Sequence, residues 1–204
     1  MYKNYPGPHY YIGLDLGQSK DFTAMCILEM HGERQEAIFH ARHLQRYQLG
    51  TSYPAIVADV AAMLRRPLFK DVRPTLAVDG TGVGAAVVDL FRKEKLNAHF
   101  RPIIITGGDV VTYDSGVTRV PKRDLVGVTQ VALQTSRLKI AADLPDAQTL
   151  VNELQNFQVK ITTAANDTYG AWREGTHDDL VLAVSMALWT AMNTRTLTVA
   201  SFRI

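Results

Sequence analysis

Asp15 is a carboxylate set inside an apolar strand, and few arrangements of a chain tolerate one there. Residues 10–24 read YYIGLDLGQSKDFTA. Ile12, Leu14 and Leu16 alternate with Gly13, Asp15 and Gly17, the period of a strand with two distinct faces. A turn of Gly17, Gln18, Ser19, Lys20 and Asp21 leads back into a second strand. An ionised carboxylate buried alone is costly, so the rest of the fold has to bring Asp15 something that compensates it.

The following segments predict the frame. TAMCILEM at 23–30 is a nearly unbroken apolar run, and 36–44 alternates with Ala37, Phe39 and Ala41 on one face. His31, Gly32 and Glu33 turn between them, so the first three strands form an antiparallel meander. The period then becomes helical over 53–64, with Ile56, Val57, Val60, Ala61 and Leu64 in phase and Pro67 and Pro74 bracketing the exit. TLAV at 75–78 is a short strand ending at Asp79. Gly80, Thr81, Gly82 and Gly84 then turn into a helix over 85–95 whose inner face is Val87, Val88 and Phe91. A strand at 99–105 completes the order β-β-β-α-β-α-β.

Residues 106–120 predict a hairpin arm turning at Asp114, Ser115 and Gly116. Pro121 suits the first turn of a helix running to about residue 136. A short strand at 138–140 and a helix at 146–155 follow. The segment 157–172, FQVKITTAANDTYGAW, reads as a second hairpin turning at Asn166 and Asp167. The final helix, 178–192, places Leu180, Val184, Ala187, Leu188 and Ala191 on one face. Residues 1–9 form a lead-in, 10–194 one domain and 195–204 a tail.

Composition adds outer limits. A chain of 204 residues, 47% hydrophobic and 21% charged, is an ordinary globular protein with one good core. The net charge of +2 permits a polyanionic partner without requiring one. The single Cys26 excludes a disulfide framework and a cysteine zinc cluster, and suits a reducing compartment. No apolar run approaches ~18 residues and no basic-then-apolar leader opens the chain, so neither a membrane span nor export is expected.

A helix between two strands implies a right-handed crossover and parallel strands. Placing strand four beside strand one gives the order 3-2-1-4-5, with a switch of direction between strands one and four. Ligand crevices lie at such switch points, at the carboxyl ends of the strands. Asp15 and Asp79 both sit toward those ends, and the last helix opens on Asp178 and Asp179. Adjacent carboxylates repel, and one normally takes up a proton. A hard divalent cation such as Mg²⁺ or Mn²⁺ removes the conflict, because it favours oxygen ligands. Three or four carboxylates suffice for two ions about 3.5–4 Å apart, the arrangement suited to in-line phosphodiester cleavage.

Each residue also has a plainer reading. Asp15 fits a turn-proximal acid bonded to backbone amides, and Asp79, before Gly80, fits a turn residue. Thr176 to Asp179 matches the [ST]-x-x-[DE] capping box, which makes Asp179 a helix cap. Asp21 is a turn residue. His177 fits a surface or capping-turn histidine, or a proton-transfer auxiliary beside the acids. Lys122 and Arg123, at a helix start, suit solvent as well as function. The combination of acids on strand one, strand four and the last helix is harder to explain plainly than any one of them.

The segments GLDLGQSKDFTA (13–24), LAVDGTGVGAAVVDLF (76–91), VPKRDLV (120–126) and GTHDDLVLAVSMAL (175–188) occur in an order and spacing that resemble the C-terminal nuclease domain of the large terminase subunit of tailed bacteriophages. The resemblance implies a ribonuclease H-like α/β fold, a mixed five-stranded sheet flanked by helices with extra hairpins. It implies a metal-dependent endonuclease cutting double-stranded DNA during genome packaging in the host cytoplasm. Asp15 would bridge two metal ions, Mg²⁺ or Mn²⁺. Asp79 would bind one and Asp178 or Asp179 the other. Lys122, Arg123, Arg119, Lys160 and Arg173 become candidate DNA contacts, and 157–172 a hairpin bordering the cleft. The implied partners are a packaging ATPase, a small terminase subunit and a portal.

One departure is the absence of a G-x-x-x-x-G-K-[ST] loop from these residues, so the ATPase is expected elsewhere. Three rival readings share parts of the pattern. Actin-like and sugar-kinase ATPases use a D-x-G hairpin and a later D-G-T-G turn, but need two such domains. A junction resolvase would share the chemistry and differ in substrate shape. A non-catalytic DNA-binding or motor-docking module would not need the full acidic set.

Overall fold

The computed structural model describes residues 8–17, 21–33, 36–82, 84–164 and 177–194, with the backbone alone for 158–164. The elements run β1 (His9–Asp15), β2 (Ala24–His31), β3 (Ile38–Arg46), α1 (Tyr53–Leu64), β4 (Thr75–Asp79), α2 (Gly84–Lys93), β5 (His99–Thr106), β6 (Thr112–Asp114), β7 (Val117–Pro121), α3 (Lys122–Gln134), β8 (Leu138–Ile140), α4 (Ala147–Ala164) and α5 (Asp179–Asn193). They build one mixed sheet in the order β6-β7-β5-β4-β1-β2-β3-β8. Its centre is the expected 3-2-1-4-5 arrangement: β1 pairs antiparallel with β2 and parallel with β4, and β4 pairs parallel with β5. The hairpin β6-β7 extends one edge through β7 alongside β5, and β8 extends the other alongside β3.

The alternation along each strand sorts the core into two faces. Ile12, Leu14, Leu76 and Val78 point to one face, where they pack with Ile56, Val60, Leu64, Val87 and Phe91 from α1 and α2. Fully burying each large side chain of this kind contributes about 1.5–3 kcal/mol. The other face carries Tyr11, Gly13 and Asp15 of β1 and Ala77 and Asp79 of β4, and α5 lies across it. Every residue of α5 from Asp179 to Ala191 is buried. The helix is therefore central, with α3 and α4 packed outside it, and is buried beyond the one face that its spacing marks. Thr129 on α3 and Ser185 on α5, both buried, share a hydroxyl–hydroxyl hydrogen bond of 2.7 Å that fixes the two helices against each other.

One segment differs from the sequence expectation. The strand predicted from residue 157 is helical: α4 continues unbroken to Ala164. Neither Gly nor Pro interrupts 147–164, and Leu150, Leu154 and Phe157 hold helical spacing against α5. The run of β-branched residues at 159–163 favoured a strand locally, and the helical register established before it prevails. The rest of that predicted hairpin, 165–172, lies outside the described residues. Among the described residues no helix is long and apolar enough to cross a membrane.

Gly13 is what lets α5 lie directly on the sheet. A Cβ there would stand 1.9 Å from the carbonyl oxygen of Ala183, a backbone atom that cannot swing away. Gly127, inside α3, faces open space. Gly13→Ala is therefore expected to destabilise the fold by about 2–3 kcal/mol or more through overpacking. Gly127→Ala is expected to stabilise it by about 0.5–1 kcal/mol through helix propensity. Thermal and urea unfolding of the two variants test this, and equal responses would contradict the α5–β1 contact.

Candidate metal centre

The register places the first two acids. Leu14 pairs with Val78 between the parallel strands, so Asp15 and Asp79 end neighbouring strands on the same face. The α5 contact places the other two. Gly13 meets Ala183; Asp15 lies two residues, about 6–7 Å, further along β1. Asp179 lies four residues, about 6 Å, back along α5. The N-terminus of α5 thus stands over the carboxyl ends of β1 and β4, where its dipole favours negative charge.

Asp15, Asp79 and Asp179 are all buried. Burial pushes the Asp15 carboxyl well above its ordinary value, and the charges of Asp79, Asp179 and Asp178 push it further. Asp79 is raised chiefly by burial, opposed by hydrogen bonding to Thr81 and Asp15. Its Oδ1 accepts the Thr81 N–H at 2.8 Å, and Thr81 Oγ1 accepts the Ile105 N–H at 2.9 Å, so the turn after β4 is tied to β5. The turn closes tightly enough that a Cβ on Gly84 would meet the Asp79 carbonyl oxygen at 2.3 Å. Asp79 is therefore a turn residue and a site residue at once.

Asp178 is the N-cap residue of α5, but its side chain makes no capping bond. Lys122 Nζ stands 3.2 Å from its Oδ2. Asp179 follows as the first helical residue, so the capping-box geometry expected of it is not formed. Its Oδ2 lies 3.6 Å from the Arg46 guanidinium and 3.7 Å from His177 Nδ1, and among the described residues no hydrogen-bond donor reaches it. Burial, then the neighbouring Glu153, push Asp179 up to about 7.

Arg46 and Glu153 are the residues that sequence reasoning missed. Arg46, at the end of β3, pairs closely with Glu153 of α4 and lies 4.5 Å over the Phe22 ring. Phe22 in turn meets His177 edge-on at 4.9 Å. The other Glu153 oxygen accepts the Val181 N–H at 3.1 Å, so a side chain on α4 caps the first turn of α5. These partners stand 107 and 28 residues apart, and only the tertiary fold joins them.

Of the expected DNA-contacting cations, Lys122 faces inward to Asp178. Arg119 and Arg123 lie half-exposed on the adjoining β7–α3 edge, paired with Asp114 at 3.4 Å and Asp109 at 2.5 Å. The Lys160 side chain and Arg173 lie outside the described residues. Asp21 is exposed beside the turn after β1.

The donor set fits hard divalent cations: buried carboxylates with raised proton affinity, and one buried oxygen that no donor among the described residues reaches. Among the described residues, no three His, Cys, Asp or Glu side chains are already closed into a ligand set. Asp178 and Asp179 are each engaged by a cationic side chain instead.

Between the ordinary Asp value and their raised ones, the Asp15, Asp79 and Asp179 carboxyls hold protons in the folded protein that the unfolded chain releases. Between the ordinary Asp value of 3.8 and about 7, stability therefore falls as pH rises through the window. The melting temperature without metal is expected to drop from about pH 5 to about pH 8, less so in Asp179→Asn and least in saturating Mg²⁺. A metal-free midpoint that stays flat or climbs over that range contradicts the burial of these acids.

The terminase RNaseH-like domain family matches residues 12–190. A search of curated protein sequences found no match. Among solved structures, the large terminase nuclease of thermophilic phage G20c with bound magnesium superposes with a TM-score of 0.60 at 21% identity, covering 90% of this chain and 82% of that one. The human cytomegalovirus terminase nuclease domain, soaked with manganese and inhibitor-bound, gives 0.55 at 16% identity, covering 90% and 83%. At these identities the structural likeness speaks to the fold, which is ribonuclease H-like, and the family match extends over most of the chain: it belongs to the terminase RNaseH-like domain family.

Proposed function

We propose that this chain is a divalent-metal-dependent endonuclease that cuts double-stranded phage DNA during genome packaging. The observation that carries the reading is the buried meeting of Asp15 and Asp79, on adjacent parallel strand ends, with the Asp178–Asp179 start of α5. The magnesium- and manganese-containing relatives support it as analogies.

In this reading Asp15, Asp79 and Asp178 or Asp179 would together hold two ions, Mg²⁺ or Mn²⁺. Bound there, the ions supply the positive charge that activates water and stabilises the leaving oxygen in phosphodiester hydrolysis. The chain's own residues do the rest. Thr81 holds Asp79 in place through its backbone N–H. Glu153 and Arg46 fix the first turn of α5, so the acid pair presents one orientation. His177, half-exposed beside Asp179, is placed to accept or return a proton at Nδ1. Arg119 and Arg123 lie on the edge where a DNA backbone would pass. Contacts of that kind neutralise phosphates without reading sequence, so binding weakens steeply with salt. The domain, residues 10–194, acts in the cytoplasm of the bacterial host with a packaging ATPase, a small terminase subunit and a portal as its partners.

Supercoiled plasmid incubated with the protein and Mn²⁺ or Mg²⁺ is expected to become nicked and then linear, and EDTA is expected to stop it. Asp15→Asn and Asp79→Ala are expected to slow cleavage by about 100-fold or more while the protein stays folded. Plasmid that remains intact across protein and metal concentrations, or undiminished cleavage by Asp79→Ala, would defeat the proposal.

A further inference from the structure

The two acids that open α5 each meet a cation, and the two cations are held differently. Arg46 is fixed from several sides. Its guanidinium pairs with Glu153, its plane covers Phe22, and its backbone N–H donates to Asp146 Oδ2 at 3.0 Å. Lys122 is held in another way. It hangs from the first turn of α3 on a flexible four-carbon stem, its ammonium 3.2 Å from Asp178 Oδ2 and 5.8 Å from the centre of the Phe157 ring. The side chain is 20% exposed, so solvent reaches the pair. A compact ammonium on a rotatable stem changes partner more readily than a guanidinium stacked on a ring and paired with a buried carboxylate.

Lys122 does not serve Asp178 alone. Its charge also acts on Asp15 and Asp79. Its charge thus reaches Asp178 and both strand-end acids, the region a divalent ion would occupy. Two positive charges cannot both be accommodated there at full attraction, since like charges a few ångströms apart repel by about as much as each is drawn to a single carboxylate.

We propose that Lys122 is an internal countercation of the carboxylate cluster, which a divalent metal ion displaces, so that metal loading and release of Lys122 from Asp178 are one coupled event. The inference rests on the metal-dependent reading given above. It accounts for a cluster that is rich in carboxylates and yet not closed into a ligand set: the lysine stands in for part of the missing charge. It also makes Lys122 a regulator of loading and gives it a role that is separate from contact with DNA phosphate.

The test uses the whole chain without DNA. Mn²⁺ affinity is measured by calorimetric titration for wild type, Lys122→Met and Lys122→Arg. Lys122→Met keeps an unbranched apolar stem and removes the ammonium that faces Asp178 and the Phe157 ring. It is expected to bind Mn²⁺ roughly tenfold more tightly than wild type. Its melting temperature without metal is expected to be lower than that of wild type, and its rise on adding metal larger. Lys122→Arg keeps the charge and is expected to bind no more tightly than wild type. Equal or weaker binding by Lys122→Met overturns the proposal while leaving the metal site standing. Absence of binding in all three overturns the metal site and the proposal with it. Should Lys122→Met fail to fold, the side-chain NMR signal of Lys122 in ¹⁵N-lysine-labelled wild type, assigned by its loss in Lys122→Arg, decides the matter. A signal that moves on adding Mg²⁺ supports the proposal, and one that stays unchanged overturns it.

Discussion

The contact between Gly13 and Ala183 is the constraint from which the rest of the site follows. Only a residue without a Cβ lets the α5 backbone approach β1 this closely. The approach sets the height of the helix above the sheet and its position along the strand. From it the start of α5 falls over Asp15, and the parallel register of β1 with β4 adds Asp79. Acids separated by more than 160 residues in the chain meet because one glycine permits one close crossing.

The same crossing creates an electrostatic difficulty, since four carboxylates gather where water is largely excluded. The chain answers it in layers. The N-terminal dipole of α5 favours negative charge, Thr81 donates to Asp79, and Arg46 and Lys122 pair with the helix-start acids. Among the described residues these compensations are incomplete: no donor reaches Asp179 Oδ2, and burial among other acids raises the proton affinity of Asp15. A site left short of positive charge in this way is fitted to receive cations, and the stability that the metal-free chain forgoes is the counterpart of that fitness.

Much of this was legible in the sequence, because its signals are local. Period-2 alternation marked β1, the DGTGVG turn marked the exit of β4, and the crossover rule then set Asp15 beside Asp79. What remained hidden depends on distant partners. Arg46 in a strand and Glu153 in a helix carry no motif, and their pairing exists only once β3, α4 and α5 are packed together. The length of α4 was misread because β-branched residues at 159–163 speak for a strand, while the helix is carried by the residues before them. The all-round burial of α5 was missed because one apolar face is enough to predict a helix, and the covering by α3 and α4 is a tertiary fact. Lys122 reads as a solvated or DNA-contacting cation at a helix start, and its nearness to Asp178 comes only with the packing of α3 beside α5.

The central claim is that these four carboxylates are gathered to hold divalent ions. Crystals of the chain soaked in Mn²⁺, with the anomalous signal of manganese used to find the ions, address it most directly. The account predicts peaks bounded by Asp15, Asp79 and the Asp178–Asp179 pair. A manganese-soaked crystal with no peak among these residues, or with its ions bound only elsewhere, would contradict it.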